Sequence, residues 1–165
     1  EFMHEHLFDK VPFKKNFLPE AKHACTLDEL NESGIKYDAL IDEHGGIDIM
    51  LLGIGTNGHM AFNEPSNTIS EGTEGVTLTE QTRSDNAIKF YDGNIDAVPK
   101  YALSMGMKKI MESNKIVLIA NGEGKAEAIY NAIYGPITPQ CPASLLQLHP
   151  NVTFVVDEAA YSLCK

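Results

Sequence analysis

Within one short stretch, Gly53 to Glu64, the chain gathers side chains suited to proton chemistry: Asn57, His59, Asn63 and Glu64, set among Gly53, Gly55 and Gly58. Histidine changes charge near neutral pH, and a carboxylate on one ring nitrogen leaves the other to exchange a proton with a substrate. His59 and Glu64 are five residues apart, which permits that arrangement. The same spacing suits a hydrogen-bonded loop histidine beside a helix-terminal charge, and spacing alone does not choose. The glycines let the backbone turn sharply and approach a ligand with no Cβ in the way, so Gly55 and Gly58 are candidate substrate-binding positions. As a string, Gly53-x-Gly55-x-x-Gly58 also matches the dinucleotide fingerprint, which needs its third glycine to open a long apolar-faced helix. Pro65 and a polar loop follow instead, so NAD is not expected.

A second set of candidates is cationic. Lys125 lies in Gly122-Glu-Gly124-Lys125, where a helix follows a strand. Helix N-terminal amides plus an ammonium suit a phosphate, although the spacing is not that of a Walker loop. A plain surface lysine fits the same residues, and Lys89, in Asn86-Ala-Ile-Lys89-Phe-Tyr, is ambiguous in the same way. His149 reads as a hydrogen-bonded structural histidine. His4 and His6 are two apart and face different sides of a helix, so no metal pair is expected. Cys25, Cys141 and Cys164 are odd in number and unpaired in spacing, which reads as reduced thiols and a cytoplasmic protein.

These groups need elements to hold them. Glu1 to Val11 reads as the end of a helix and Pro12 to Pro19 as a connector. Thr26-Leu-Asp-Glu29 is a capping box, so a helix starts there, with Leu30, Ile35, Tyr37, Leu40 and Ile41 inward and Gly34 weakening its middle. Gly45-Gly46 ends it. Ile47 to Leu52 is apolar almost throughout, as in a strand with helices over both faces. Ser66 to Gly75 reads as a mobile polar loop, Val76 to Thr79 as a short strand, and Thr82 to Phe90 as a helix. A short strand, Ala102 to Met105, and a short helix, Met107 to Glu112, lead into Lys115 to Ala120, a second apolar strand. The helix opened by Lys125 runs to Tyr134, with Ala126, Ile129, Ala132 and Ile133 inward. Ala143 to Leu148 is a short helical stretch, Val152 to Val156 a last strand and Glu158 to Cys164 a terminal helix. This alternation predicts an α/β fold: a Rossmann-like, open, mostly parallel sheet flanked by helices.

Composition narrows the classes. The chain has 165 residues, 43% of them hydrophobic and 22% charged, which fits one domain over 1–165 with a sizeable core. Its net charge of −10 and lack of a basic patch argue against nucleic acid as a partner. No apolar run approaches the roughly 18 residues of a membrane span, and nothing at the front reads as a signal peptide. The chain opens at Glu1-Phe2-Met3, which leaves open a fragment of something longer.

Gly55-Thr-Asn-Gly-His-Met-Ala-Phe-Asn-Glu-Pro65 resembles the signature of the glucosamine-6-phosphate deaminases, also called isomerases. Val98-Pro-Lys-Tyr-Ala-Leu-Ser-Met-Gly106, Gly122-Glu-Gly-Lys-Ala126, Pro142-Ala-Ser-Leu-Leu-Gln-Leu-His-Pro150 and Val155-Val-Asp-Glu158 extend the likeness over nearly the whole chain. The resemblance implies conversion of glucosamine 6-phosphate and water to fructose 6-phosphate and ammonia, without metal or organic cofactor. It implies that His59, oriented by Glu64, opens the sugar ring by protonating its ring oxygen. Asn57 falls where members carry aspartate or asparagine. Lys125 and Lys89 would hold the 6-phosphate together with backbone amides. The 6-phosphogluconolactonases of the same superfamily usually continue His-Thr-Ala-Ser-Leu-Phe, whereas this chain continues His-Met-Ala-Phe-Asn-Glu.

The likeness also implies an absence. Family members extend roughly 80 to 90 residues further at the N-terminus, within the usual range of α/β domain sizes. Those strand–helix units would supply a glycine-rich phosphate loop and an Asp-Glu-Tyr aspartate that moves the proton between C2 and C1. No Asp-Glu-Tyr occurs here. The 165-residue chain alone is therefore expected to be impaired. Alternative readings are a non-catalytic sugar-phosphate-binding module and a lactonase-like hydrolase. Self-association into a homo-oligomer, allosteric control and the choice between glucosamine and galactosamine 6-phosphate are left open.

Overall fold

A computed structural model describes residues 3–21 and 25–165. The expected helix near the front is only a short π-helical turn, His4–Phe8, and its far end at Glu1 lies outside the described residues. The connector after it is irregular chain, and α1, Leu27–Glu43, begins where the capping box placed it. Thr26 Oγ1 accepts the Glu29 amide at 3.2 Å, and Glu29 Oε2 accepts the Thr26 amide at 2.8 Å. Gly45 and Gly46 end the helix with φ of +87° and +85°.

The main sheet contains three parallel strands in the order β1 (Ile49–Leu52), β4 (Lys115–Ala120), β5 (Val152–Val156). Between β1 and β4 the chain forms β2, Glu74–Thr77, α2, Glu80–Phe90, β3, Tyr101–Ser104, and α3, Met107–Met111. Strands β2 and β3 pair antiparallel in a second small sheet, apart from the expected mostly parallel one. Helix α4, Ala126–Tyr134, joins β4 to β5 together with a 3₁₀ stretch over Pro142–Leu148. Beyond β5 the expected terminal helix is a set of turns ending in a 3₁₀ segment, Ser162–Cys164. At its start the Asp157 carboxylate accepts the Ala160 amide at 2.8 Å, closing the first turn.

The sheet's two faces differ. Met50, Leu52, Ile116, Leu118 and Ala120 point into a core completed by Met107 and Ile110 of α3 and by Ala128, Ile129 and Ala132 of α4. The opposite face of β1 is bare: Ile49 and Leu51 are 65% and 66% exposed. Helices were expected over both faces of this strand, and they cover one. A run of aliphatic residues reads the same whether or not anything lies on its second face.

Helix α1 packs on the small sheet rather than through the full apolar stripe read from the sequence. Leu30 is buried, but Ile35 is exposed. Gly34 turns out to be a crossing point, since a Cβ there would sit 1.9 Å from the Thr73 carbonyl oxygen. The loop read as mobile is pinned at this place. Asp38 accepts the Thr73 amide at 2.9 Å and its hydroxyl at 2.5 Å, and Asn31 accepts the Gly75 amide at 2.8 Å. Lys109 of α3, nearly buried, ties α3 to α1 through Asp42 and also reaches Glu112 at 3.3 Å. Its hydrogen bond to Asp42, outweighing burial, holds the ammonium above the ordinary lysine range.

Candidate active site

The carboxyl ends of β1, β4 and β5 lie at one edge of the main sheet, because the strands are parallel. Open α/β sheets bind ligands beyond this edge. The loop after β1 closes on itself there. The Gly55 amide donates to the His59 carbonyl at 2.9 Å, and the Gly58 amide to the Gly55 carbonyl at 3.1 Å. A Cβ on Gly55 would sit 2.2 Å from His59 Cε1, and one on Gly58 2.6 Å from Cys141 Sγ. The room expected for a ligand beside these two glycines is thus filled by the imidazole and by Cys141. Around Gly53 a Cβ would meet nothing within 4 Å, so the open space lies there.

His59 is held by a chain of three side chains. Its Nδ1 lies 2.7 Å from Asn57 Oδ1, and Asn57 Nδ2 donates to Glu64 Oε2 at 2.7 Å. The other carboxylate oxygen, Oε1, accepts from the Thr82 hydroxyl at 3.1 Å. The donor order follows from chemistry. An ionised carboxylate only accepts, so the Asn57 nitrogen faces Glu64 and its oxygen faces the ring. Nδ1 must then carry the hydrogen, which leaves Nε2 of the neutral ring with its lone pair. The sequence suggested that Glu64 orients His59 directly. The structure inserts Asn57: the direct separation from Nδ1 to Glu64 Oε2 is 3.5 Å, longer than the Asn57 contact.

Thr82 is a site neighbour that the sequence did not reveal. Thr79 caps α2, its side chain accepting from the Thr82 amide, and the Thr82 hydroxyl then turns to a residue 18 positions back. Nothing in Thr79-x-x-Thr82 signals that reach; it reads only as a helix start. Replacing Thr82 by valine frees one oxygen of Glu64 while keeping side-chain shape. A hydrogen bond to a charged group contributes about 1.5–3 kcal/mol, so kcat is expected to fall about tenfold or more with KM nearly unchanged. Thr82→Ser should restore it, and steady-state kinetics on the two variants checks this.

Lys89, at the last turn of α2, and Lys125, just before α4, are brought near each other from separate elements. Burial lowers the Lys125 ammonium below the ordinary lysine range, and the Lys89 charge adds to the shift, with Asp85 opposing it. Two cations this close suit a dianionic ligand. One expected donor is taken, however. The Gly122 amide donates to both oxygens of Asp157, each at 3.0 Å.

Other candidates resolve as structural. His149 is buried, with Nε2 at 2.7 Å from the Ser113 carbonyl and Nδ1 accepting the Asn151 amide at 3.1 Å. Asn63 donates to the Met60 and Met105 carbonyls at 3.0 and 2.9 Å, which fixes the loop. His4 lies 3.0 Å from Asp9. Among the described residues no cluster of three His, Cys, Asp or Glu is placed to hold a metal ion.

A parallel open sheet with a glycine loop carrying His59, Asn57 and Glu64 beyond the end of one strand defines an α/β protein whose ligand site is expected at that edge. The family model for glucosamine-6-phosphate isomerases and 6-phosphogluconolactonase matches residues 1–155, and the chain belongs to that family. It is 51% identical over 164 residues to a glucosamine-6-phosphate deaminase of Rhodopirellula baltica, covering 98% of this chain and 63% of that protein. With the deaminase of Clostridioides difficile it shares 47% identity over 163 residues, again 63% of the relative. A solved monomeric glucosamine-6-phosphate deaminase superposes with a TM-score of 0.87 at 41% identity, over 98% of this chain and 66% of that one. The 6-phosphogluconolactonase of Trypanosoma cruzi superposes at 0.63 with 15% identity, a likeness of fold. The chain thus spans under two thirds of the length of the curated relatives named here.

Proposed function

We propose that this chain carries the ring-opening half of a glucosamine-6-phosphate deaminase site. The observation that carries the proposal is the Glu64–Asn57–His59 chain, which fixes Nδ1 as a donor and leaves Nε2 without a hydrogen-bond partner among the described residues. Nε2, once protonated, can give its proton to the ring oxygen of a pyranose. The ring C1–O5 bond then breaks as the C1 hydroxyl gives its proton to solvent and becomes the aldehyde, and the imidazole returns to the neutral form. Glu64, 3.5 Å from Nδ1, faces the ring's transient positive charge. Lys125 and Lys89 hold the 6-phosphate, and Gly55 and Gly58 shape the loop that keeps His59 in place. The reaction takes glucosamine 6-phosphate and water to fructose 6-phosphate and ammonia, with no cofactor. The base for the C1–C2 proton transfer belongs to the length of the relatives that this chain does not span. We take residues 1–165 as part of one α/β domain of a cytoplasmic enzyme. Among the described residues no helix is long and apolar enough to cross a membrane.

The test joins to this chain the part of the Rhodopirellula baltica deaminase that it does not span. This extended fusion should release ammonia from glucosamine 6-phosphate, whereas the 165-residue chain should be slower by about 10²- to 10⁴-fold, the usual contribution of a positioned base. Equal ammonia release by the chain alone sinks the division of labour. Hydrolysis of 6-phosphogluconolactone without ammonia release points to the hydrolase reading instead.

Lys125→Ala in the fusion should raise KM about tenfold or more with a smaller change in kcat, as expected for a charge-assisted hydrogen bond to a ligand group remote from the reacting carbons. Because Lys125 loses its proton more readily than an ordinary lysine, phosphate-ester binding should weaken on the alkaline side before that range is reached. Titration calorimetry of fructose 6-phosphate binding at increasing pH reads this directly.

A further inference from the structure

Lys125 ends a short turn that side-chain packing does not hold. Asn121 and Glu123 are exposed, and a Cβ on Gly122 or Gly124 would meet nothing within 4 Å. Hydrogen bonds therefore decide where this turn stands. Both backbone groups of Gly122 are used: its carbonyl accepts the Lys125 amide at 3.0 Å, and its amide donates to Asp157. With φ of +87° and ψ of +152°, Gly122 holds a backbone conformation that essentially only glycine adopts. Since the space around it is open, the glycine serves to aim these two peptide groups.

Asp157 is the other end of this link. Ala120 pairs with Val156 where β4 and β5 end, so the chain leaves the two strands side by side. One residue further on, the Asp157 carboxylate takes the Gly122 amide on both oxygens and the Ala160 amide on Oδ1 at 2.8 Å. Although Asp157 is exposed, the Ala160 and Gly122 amides hold its carboxyl below the ordinary carboxylate range. It is therefore ionised wherever a phosphate ester, with a second pKa of about 6, is a dianion. On the far side of the turn Ala126 is buried. Lys125 thus stands between two fixed points, a buried residue and the Asp157–Gly122 bond. We infer that Asp157 is a positioning residue for anion binding, acting on Lys125 through the Gly122 peptide. The inference rests on the reading of Lys125 as a phosphate ligand. A negative charge near the site would by itself oppose an anion, so the anchoring bonds and the charge of Asp157 act in opposite directions. Substitution can separate them.

Titration calorimetry of fructose 6-phosphate on the extended fusion tests this. Asp157→Ala should raise Kd about tenfold, the scale of one lost hydrogen bond to a charged acceptor. The loss should appear in KM for glucosamine 6-phosphate, with kcat changed by less than about threefold. Asp157→Asn should bind within about twofold of the parent, because its one oxygen can accept both amides as Oδ1 does. In a Lys125→Ala background, Asp157→Ala should add little, the coupling expected when one residue acts through another. Unfolding in urea checks that the variants are folded during the titration. If Asp157→Ala is not, Gly122→Ala disturbs the same peptide from its other side and should raise Kd by a similar factor. Parent-like binding by Asp157→Ala, with Lys125→Ala still weakened, overturns the inference and leaves the lysine reading standing. Tighter binding by both Asp157→Ala and Asp157→Asn also overturns it, since the charge alone would then matter. Parent-like binding by Lys125→Ala overturns the inference together with the reading beneath it.

Discussion

His59→Ala in the extended fusion is expected to lower kcat for ammonia release by about 10²- to 10⁴-fold, the range of positioned general acid–base groups. The physical case rests on hydrogen-bond bookkeeping around one ring. Glu64 can only accept, so Asn57 must present its nitrogen to Glu64 and its oxygen to Nδ1, and Nδ1 must keep a hydrogen. Every proton the ring exchanges with substrate therefore passes through Nε2. Alanine removes that route and leaves Lys89 and Lys125 untouched, so KM should stay within a few-fold while kcat collapses. Glu64→Gln is a sharper companion. A glutamine keeps an oxygen for Asn57 and turns its nitrogen to the Thr82 hydroxyl, which then accepts, so the variant removes chiefly the negative charge 3.5 Å from Nδ1. Its loss should be smaller than that of His59→Ala, since Nε2 persists. A His59→Ala fusion retaining a tenth or more of the parent kcat would remove His59 from the chemistry.

Gly58→Ala should destabilise the chain by about 2–5 kcal/mol. A left-handed backbone costs a non-glycine residue about 1–2 kcal/mol, and overpacking a filled site costs about 1–3 kcal/mol more. Gly58 incurs both terms: its φ is +84° and an added Cβ would lie 2.6 Å from Cys141 Sγ. Gly93 separates them, with φ +83° and nothing within 4 Å of an added Cβ. Gly93→Ala should therefore show only the backbone cost. Adding Cys141→Ala to Gly58→Ala should recover part of the steric cost, a coupling that a double-mutant cycle in urea denaturation measures. If Gly58→Ala and Gly93→Ala cost the same, the contact with Cys141 carries no weight.

Much of the fold is legible in the sequence because local rules decide it. The capping box starts α1 at Thr26, two glycines end it with positive φ, and the two long aliphatic runs become β4 and β5 with the expected boundaries. His59, Asn57 and Glu64 are recognisable because they crowd one glycine loop at a strand end, and the structure brings all three into contact.

Other features belong to tertiary structure alone. The sequence does not show that Asn57 stands between His59 and Glu64, or that Thr82 reaches back to Glu64, because a hydroxyl's partner depends on where two distant segments pack. Gly55 and Gly58 read as space for a ligand and prove to be space for His59 and Cys141. The loop over Ser66 to Gly75 reads as mobile until Asp38 and Asn31 are seen to hold it. The bare side of β1 is the plainest case. Aliphatic residues at successive positions state that a strand is fit to be buried, but only the packing of neighbouring elements decides whether one face or both are covered.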